Sequence, residues 1–192
     1  KRSASLSIHD TVQCDVCVIG GGFAGLTTTL ELVRRGKAVI LLEANQIGSG
    51  ASGRNAGFVS NGFALGIEDI VQKVGQDAAR ELYALSKVGR EYVADQIAAS
   101  DSSIRMGNGM VVAARRPDLG KLRTYRDLLN LQFGENALLL DVAETRQLVC
   151  SQSYFESLQF PDAFHIHPLR YAHLLFETAQ AHGALIAEHS PA

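Results

Sequence analysis

The run Asp15-Val16-Cys17-Val18-Ile19, followed at once by Gly20-x-Gly22-x-x-Gly25, constrains this chain more than any other feature. A short apolar stretch with no alternation reads as a strand buried on both faces, because helices cover a parallel sheet on each side. The three glycines have separate tasks. Gly20 permits a tight turn, Gly22 lets backbone approach a pyrophosphate that a Cβ would hold off, and Gly25 allows close packing of helix against strand. Beyond them Phe23, Leu26, Leu30 and Val33 recur at helical spacing, Arg34 and Arg35 suit the negative end of the helix dipole, and Gly36 supplies a C-cap. Residues 37–43 (KAVILLE) read as a second buried strand. Strand, glycine turn, helix and strand make one β-α-β unit, with a right-handed crossover expected. Glu43 ends the second strand, where a carboxylate accepts hydrogen bonds from both hydroxyls of a ribose and repels a 2′-phosphate, which disfavours NADP. The helix N-terminus offers unpaired N–H groups to the phosphates. The pattern predicts an α/β dinucleotide-binding fold and by itself leaves FAD and NAD both open.

The segment after Glu43 separates them. A nicotinamide enzyme normally continues with another crossover, whereas here a glycine- and serine-rich stretch lies between Gln46 and Gly66, too long for an ordinary turn and read as a binding loop. Gly48, Ser49, Gly50, Ala51 and Ser52 let backbone pass close to a cofactor, and Arg54-Asn55 adds a cation and an amide. Further along, residues 76–100 predict a long amphipathic helix and 109–114 (GMVVAA) a strand. Asp118 is placed to cap a helix over 119–133, and 145–149 suggests a helical turn. Residues 158–160 and 164–167 read as two strand pieces around a Pro161-Asp162 turn. Pro168 opens a helix running to His182, Gly183 caps it, and 184–188 is a following strand.

The run CVIGGGFAGLTTTLELVRRGKAVILLEANQIGSGASGRNAGF resembles the N-terminal FAD-binding region of the D-amino-acid-oxidase-like flavoproteins. Its GASGRNAG part is most similar to the gamma-glutamylputrescine oxidoreductase branch, and fainter resemblance continues through FPDAFHIHPLRYAHLLFETAQAHGALI. The resemblance implies a glutathione-reductase-like FAD-binding domain over residues 12–104 together with 168–192, and the first part of a mixed α+β substrate-binding domain over 105–167. It implies FAD with its pyrophosphate over Gly20, Gly22, Phe23, Ala24 and Gly25, and its AMP ribose at Glu43 and Ala44. Ser49, Gly50, Ala51 and Ser52 would line the pyrophosphate, and Arg54, Asn55, Ala56 and Gly57 would lie near the isoalloxazine. For Arg54 a solvent-facing or loop-bracing role stands beside this one. The implied activity is oxidation of the C–N bond of an amine or amino acid, with oxygen or a quinone-linked acceptor reoxidising the flavin and no obligatory acid–base pair.

Composition narrows the alternatives. With 192 residues, 46% hydrophobic and 20% charged, the chain has ample material for a core and is neither low-complexity nor collagen-like. A net charge of −2 argues against a nucleic-acid partner. No apolar stretch reaches the roughly 20 residues of a membrane span, and no signal peptide is evident, so a cytoplasmic setting is expected. Cys14-x-x-Cys17 has redox spacing, but on a strand the two side chains face opposite ways; His165-x-His167 lacks an acidic or Cys partner at convincing spacing, so no metal is expected. The chain starts at Lys1 and stops shortly after an apolar run, where members of the resembled family continue about as long again. It is therefore expected to be a piece of a longer enzyme, binding FAD poorly and inactive alone, with an oligomer possible. Two other readings stand beside it: an NAD-linked dehydrogenase, and a non-catalytic nucleotide-binding subunit completed by another chain.

Overall fold

The computed structural model describes residues 11–98, 100 and 103–192, and these form two compact units. One runs up to Gly57 and resumes over His167–Ala192; the other is Phe58–Ile166. Lys1 lies outside the described residues, as does Ala99 of the expected 76–100 helix.

In the first unit β1 (Val16–Ile19), β2 (Val39–Leu42) and β7 (Leu185–Ala187) form a parallel sheet in the order β1-β2-β7. Val16 pairs with Val39 and Ile19 with Leu42, and Leu41 of the same central strand pairs with Ile186. α1 (Phe23–Arg34) joins β1 to β2, and α7 (Pro168–Ala181) precedes β7. The three-and-four spacing seen in the sequence becomes the buried stripe Leu26, Thr29, Leu30 and Val33 of α1, while α7 buries Tyr171, Ala172, Leu175, Phe176 and Ala179. Phe23 and Tyr171 meet edge to face at 5.4 Å between ring centroids. Burying each large aliphatic side chain is worth roughly 1.5–3 kcal/mol, which is why periodicity places both helices. β2 is buried through Val39, Ile40 and Leu41, as expected. β1 departs from expectation: Cys17 is exposed and Ile19 is 73% exposed. The strand pairs on one side only among the described residues, and its side chains alternate between covered and open faces.

The second unit is built on an antiparallel sheet whose centre is β6 (Ser157–Ile166). β4 (Arg105–Ala113) runs along one edge; β3 (Phe58–Val59) and β5 (Leu138–Leu140) pair with opposite ends of the other. β6 is one strand where the sequence suggested two pieces around a turn. Between Phe160 and Phe164, β6 carries Pro161, Asp162 and Ala163 against the single Gly109 of β4 (φ +77°), so Pro161 sits within a bulge of β6, where its missing N–H costs the ladder nothing. α3 (Ile67–Val74), α4 (Gln76–Ala98) and α5 (Leu119–Phe133) share a core of Ile67, Ile70, Ala79, Tyr83, Leu129 and Phe133. α6 (Val142–Val149) begins with a reciprocal capping box between Asp141 and Glu144. The expected domain boundary at 104/105 moves accordingly. Residues 58–104 group with the second unit, because β3 pairs with β6 and α4 buries Ala79 and Tyr83 beside α5 residues.

Candidate functional site

The first glycine turn is fixed at both ends. Gly20 has φ +105°, a conformation L side chains rarely adopt, and its N–H donates to the Leu42 carbonyl at 2.8 Å. A Cβ on Gly25 would overlap the Gly20 carbonyl oxygen, so α1 reaches this close to the turn only because residue 25 is glycine. Gly22 is an extended N-cap with no side chain to offer the helix. Ser52 supplies one from elsewhere: its Oγ accepts from the Phe23 N–H at 3.0 Å. The hydroxyl still holds a proton to donate outward. The Ala24 and Gly25 amides belong to the first helical turn, where no intrahelical acceptor exists and the dipole is positive.

Ser52 belongs to α2 (Ala51–Arg54), opened by the second glycine segment. Gly48-x-Gly50-x-x-Gly53 repeats the spacing of Gly20-x-Gly22-x-x-Gly25, which a reading for small residues alone passes over. The conformations repeat as well. Gly48 has φ +69°, Gly50 is an extended N-cap, and a Cβ on Gly53 would overlap the Gly48 carbonyl oxygen. The two turns are joined directly, with the Gly48 N–H donating to the Gly21 carbonyl at 3.0 Å. Ser49 is half-buried, and Gly50 and Ala51 are exposed. Identical spacing was the signal available in the sequence.

Glu43 ties the turns to the sheet. Its Oε2 accepts from the Gly21 N–H at 2.6 Å and its Oε1 from the Asn45 N–H at 2.8 Å, and each oxygen keeps a second lone pair. Ala44 beside it is exposed. Glu188, which sequence reasoning did not single out, accepts from the Ile47 N–H at 2.7 Å, and the Ser190 N–H donates to the Glu43 carbonyl at 2.9 Å. Only a contact 141 residues apart in sequence reveals that role.

Arg54, Asn55 and Ala56 are exposed at the far end of α2, and Gly57 is buried with φ +75°. Asn55 braces its own loop: Nδ2 donates to the Ala51 and Ser52 carbonyls at 3.2 and 2.8 Å, and Oδ1 accepts from the Gly57 N–H at 2.8 Å. Arg54 forms no hydrogen bond or ion pair among the described residues. The remaining candidates lie apart from this cluster. Cys14 and Cys17 are exposed free thiols, His165 stacks near Phe58 at 5.6 Å between centroids, and His167 caps α7 through Nδ1. Among the described residues no three His, Cys, Asp or Glu side chains gather to hold a metal. No helix there is long and apolar enough to cross a membrane.

Comparison with known proteins gives a consistent result. Residues 15–192 match the family model described as DAO: FAD dependent oxidoreductase. The gamma-glutamylputrescine oxidoreductase of Escherichia coli K12 is 35% identical over 168 residues, covering 86% of this chain and 39% of that protein. Among solved structures, L-amino acid deaminase from Proteus vulgaris superposes with a TM-score of 0.71 at 21% identity, over 97% of this chain and 42% of that one. Glycine oxidase from Bacillus cereus gives 0.65 at 21% identity, over 92% and 46%. The chain thus spans about two fifths of the length of these proteins, and the structures at that identity establish the α/β fold alone. With a family model matched from the first strand to the last residue, and FAD the cofactor of that family, the chain belongs to the DAO family of FAD-dependent oxidoreductases.

Proposed function

We propose that the unit formed by residues up to 57 and 167–192 is the glutathione-reductase-like FAD-binding part of an enzyme that oxidises the C–N bond of an amine or amino acid. Phe58–Ile166 would then begin its substrate-binding part. The observation carrying this reading is the paired glycine turn, in which two turn-helix junctions of the same spacing are joined through Gly48–Gly21 and Ser52–Phe23 hydrogen bonds. The residues suit a dinucleotide. Gly20 has open space where a Cβ would stand, the Ser52 hydroxyl has a proton to donate, and the first-turn amides add a positive field for two phosphates. Ser49, Gly50 and Ala51 would follow the same phosphates with backbone. Glu43 would accept ribose hydroxyls on lone pairs that Gly21 and Asn45 leave free.

FAD, when bound, supplies hydride acceptance from the carbon bearing the amine, and the resulting imine hydrolyses to an aldehyde or keto acid. The chain's own part is positioning and electrostatics. Asn55 holds the loop over 51–57 in one conformation through three hydrogen bonds, so that Ala56 and Gly57 present backbone at a fixed place. Arg54, exposed and unpaired among the described residues, would place a cation near the ring system and stabilise negative charge there. Oxygen or a quinone-linked acceptor would complete turnover. The test uses the protein at its natural length: flavin absorbance in the purified protein, bleached anaerobically by an amine or amino acid, supports the reading. Absence of flavin after purification and FAD titration would sink it. Arg54→Ala is expected to shift the flavin potential and slow reduction, and unchanged values would remove Arg54 from the mechanism.

A further inference from the structure

A cavity of about 720 Å³ lies wholly within the Phe58–Ile166 unit, bounded by the link from β4 to α5, the first turns of α5 and the start of α3. That volume falls within the range of small-molecule sites. The link carries Arg115 and Arg116, and it is pinned at both ends. Ala114 exchanges backbone hydrogen bonds with Phe155 and Glu156, each at 2.9 Å, and the Asp118 N–H donates to Glu156 Oε2 at 3.3 Å. Leu122 and Tyr125, both half-buried, form a wall shared with a smaller cavity of about 300 Å³, where Ile67, Ile70, Leu129 and Phe160 stand.

The charges around the larger cavity decide what it can take. Arg115 and Arg116 both line it, and among the described residues neither makes a hydrogen bond or ion pair. Each guanidinium offers a planar fork of donors that fits a carboxylate. Lys121 lines the cavity as well, with its ammonium 3.0 Å from the Asp118 carboxylate, and Glu68 supplies a second carboxylate. Three cations against two carboxylates leave one positive charge over, which suits a monoanion better than a dianion. The Tyr125 hydroxyl has no hydrogen-bond partner among the described residues. Burial, and then the charge of Glu68, hold its proton in place, so at neutral pH it remains a donor. The Leu122 side chain and the Ala114 methyl offer apolar contact alone. The complement to such a lining is a molecule with one negative charge at one end and hydrocarbon at the other.

We propose that this cavity binds a medium-chain monocarboxylate, its head on Arg115, Arg116 and the Tyr125 hydroxyl and its hydrocarbon chain against Ala114 and Leu122. Such a ligand carries no amine and is no substrate for C–N oxidation, so the proposal stands or falls separately from the flavin reading. The probe is sodium octanoate below its micelle concentration, titrated calorimetrically into the protein at its natural length, beside sodium acetate and 1-octanol at matched ionic strength. Saturable octanoate binding is expected, with acetate, which lacks the chain, and octanol, which lacks the charge, each about tenfold or more weaker. Arg115→Gln with Arg116→Gln should weaken octanoate by about tenfold or more, and Tyr125→Phe by about threefold, while the far-UV spectrum stays native. Arg123→Gln removes an exposed cation from outside the lining and should leave the affinity unchanged. Should the double variant fail to fold, R116Q alone decides. No saturable octanoate binding, equal binding of acetate or octanol, full affinity in the natively folded arginine variant, or an equal loss in R123Q overturns the assignment.

Discussion

At the scale of single residues, the site depends on glycines for two distinct reasons, and substitutions should separate them. Gly25 and Gly53 are glycine because a Cβ would strike the carbonyl oxygen of the glycine five residues earlier, and backbone there cannot yield without moving the turn. Gly50 has φ −84° and nothing near its missing Cβ. Gly25→Ala and Gly53→Ala are therefore expected to lose about 1–3 kcal/mol in urea unfolding, the cost of forcing extra volume into a packed site. Gly50→Ala should stay within about 0.5 kcal/mol of the parent. Ser52→Ala, which removes the side-chain cap on α1, should cost about 1 kcal/mol, and unfolding in urea reads this too. The sequence already displayed the first glycine motif and Glu43, because turn geometry and strand-end placement are local. It did not display Ser52 as the cap of α1 or Glu188 as the anchor of Ile47, since those roles come from chain segments brought together across 29 and 141 residues.

At the scale of elements, helices with a clear apolar stripe were legible and short or irregular pieces were not. Residues 67–74 carry Ile67, Ile70, Val71 and Val74 between Gly66 and Gly75, yet the long loop reading of the preceding stretch hid α3. β5 is three residues long and exists by pairing with β6, which no local pattern records. Pro161 argued for a turn on local grounds, and the strand instead takes it up in a bulge of β6 opposite Gly109 of β4. The junction of α6 with β6 offers a test of what tertiary contact adds. Thr145 Oγ1 and Ser157 Oγ lie 2.8 Å apart, and both residues are wholly buried. Thr145→Val keeps the shape but strands the Ser157 hydroxyl, and should cost about 1–3 kcal/mol in thermal or urea unfolding. Adding Ser157→Ala removes the stranded group and should return part of that loss. A double variant no more stable than Thr145→Val alone would mean that the pair does not share one hydrogen bond.

At the scale of the whole molecule, the two units carry separate cores, and the polar interior of the Phe58–Ile166 unit gives it a pH response of its own. Burial first, and then the hydrogen bond and charge of Glu135, raise the Tyr83 phenol far above its ordinary value of 10.0. Burial, with the nearby charge of Glu68, raises Tyr125 as well. Below pH 10 the folded and unfolded chains both keep these protons, so their contribution to stability is constant. Above it the unfolded chain releases protons that the folded unit still holds, so the unfolded state binds fewer protons and stability falls as pH rises. Each phenol contributes a slope approaching about 1.4 kcal/mol per pH unit once the medium passes its unfolded pKa. Tyr83→Phe removes one such group without removing its ring from the Phe133 contact, so its stability should fall less steeply in alkali than the parent's. The measurement is urea unfolding at a series of alkaline pH values, with segment-resolved hydrogen exchange assigning the weakening to residues 58–166. Parallel slopes for parent and variant would mean that Tyr83 ionises freely within the fold, and that its hydroxyl is not held by Glu135.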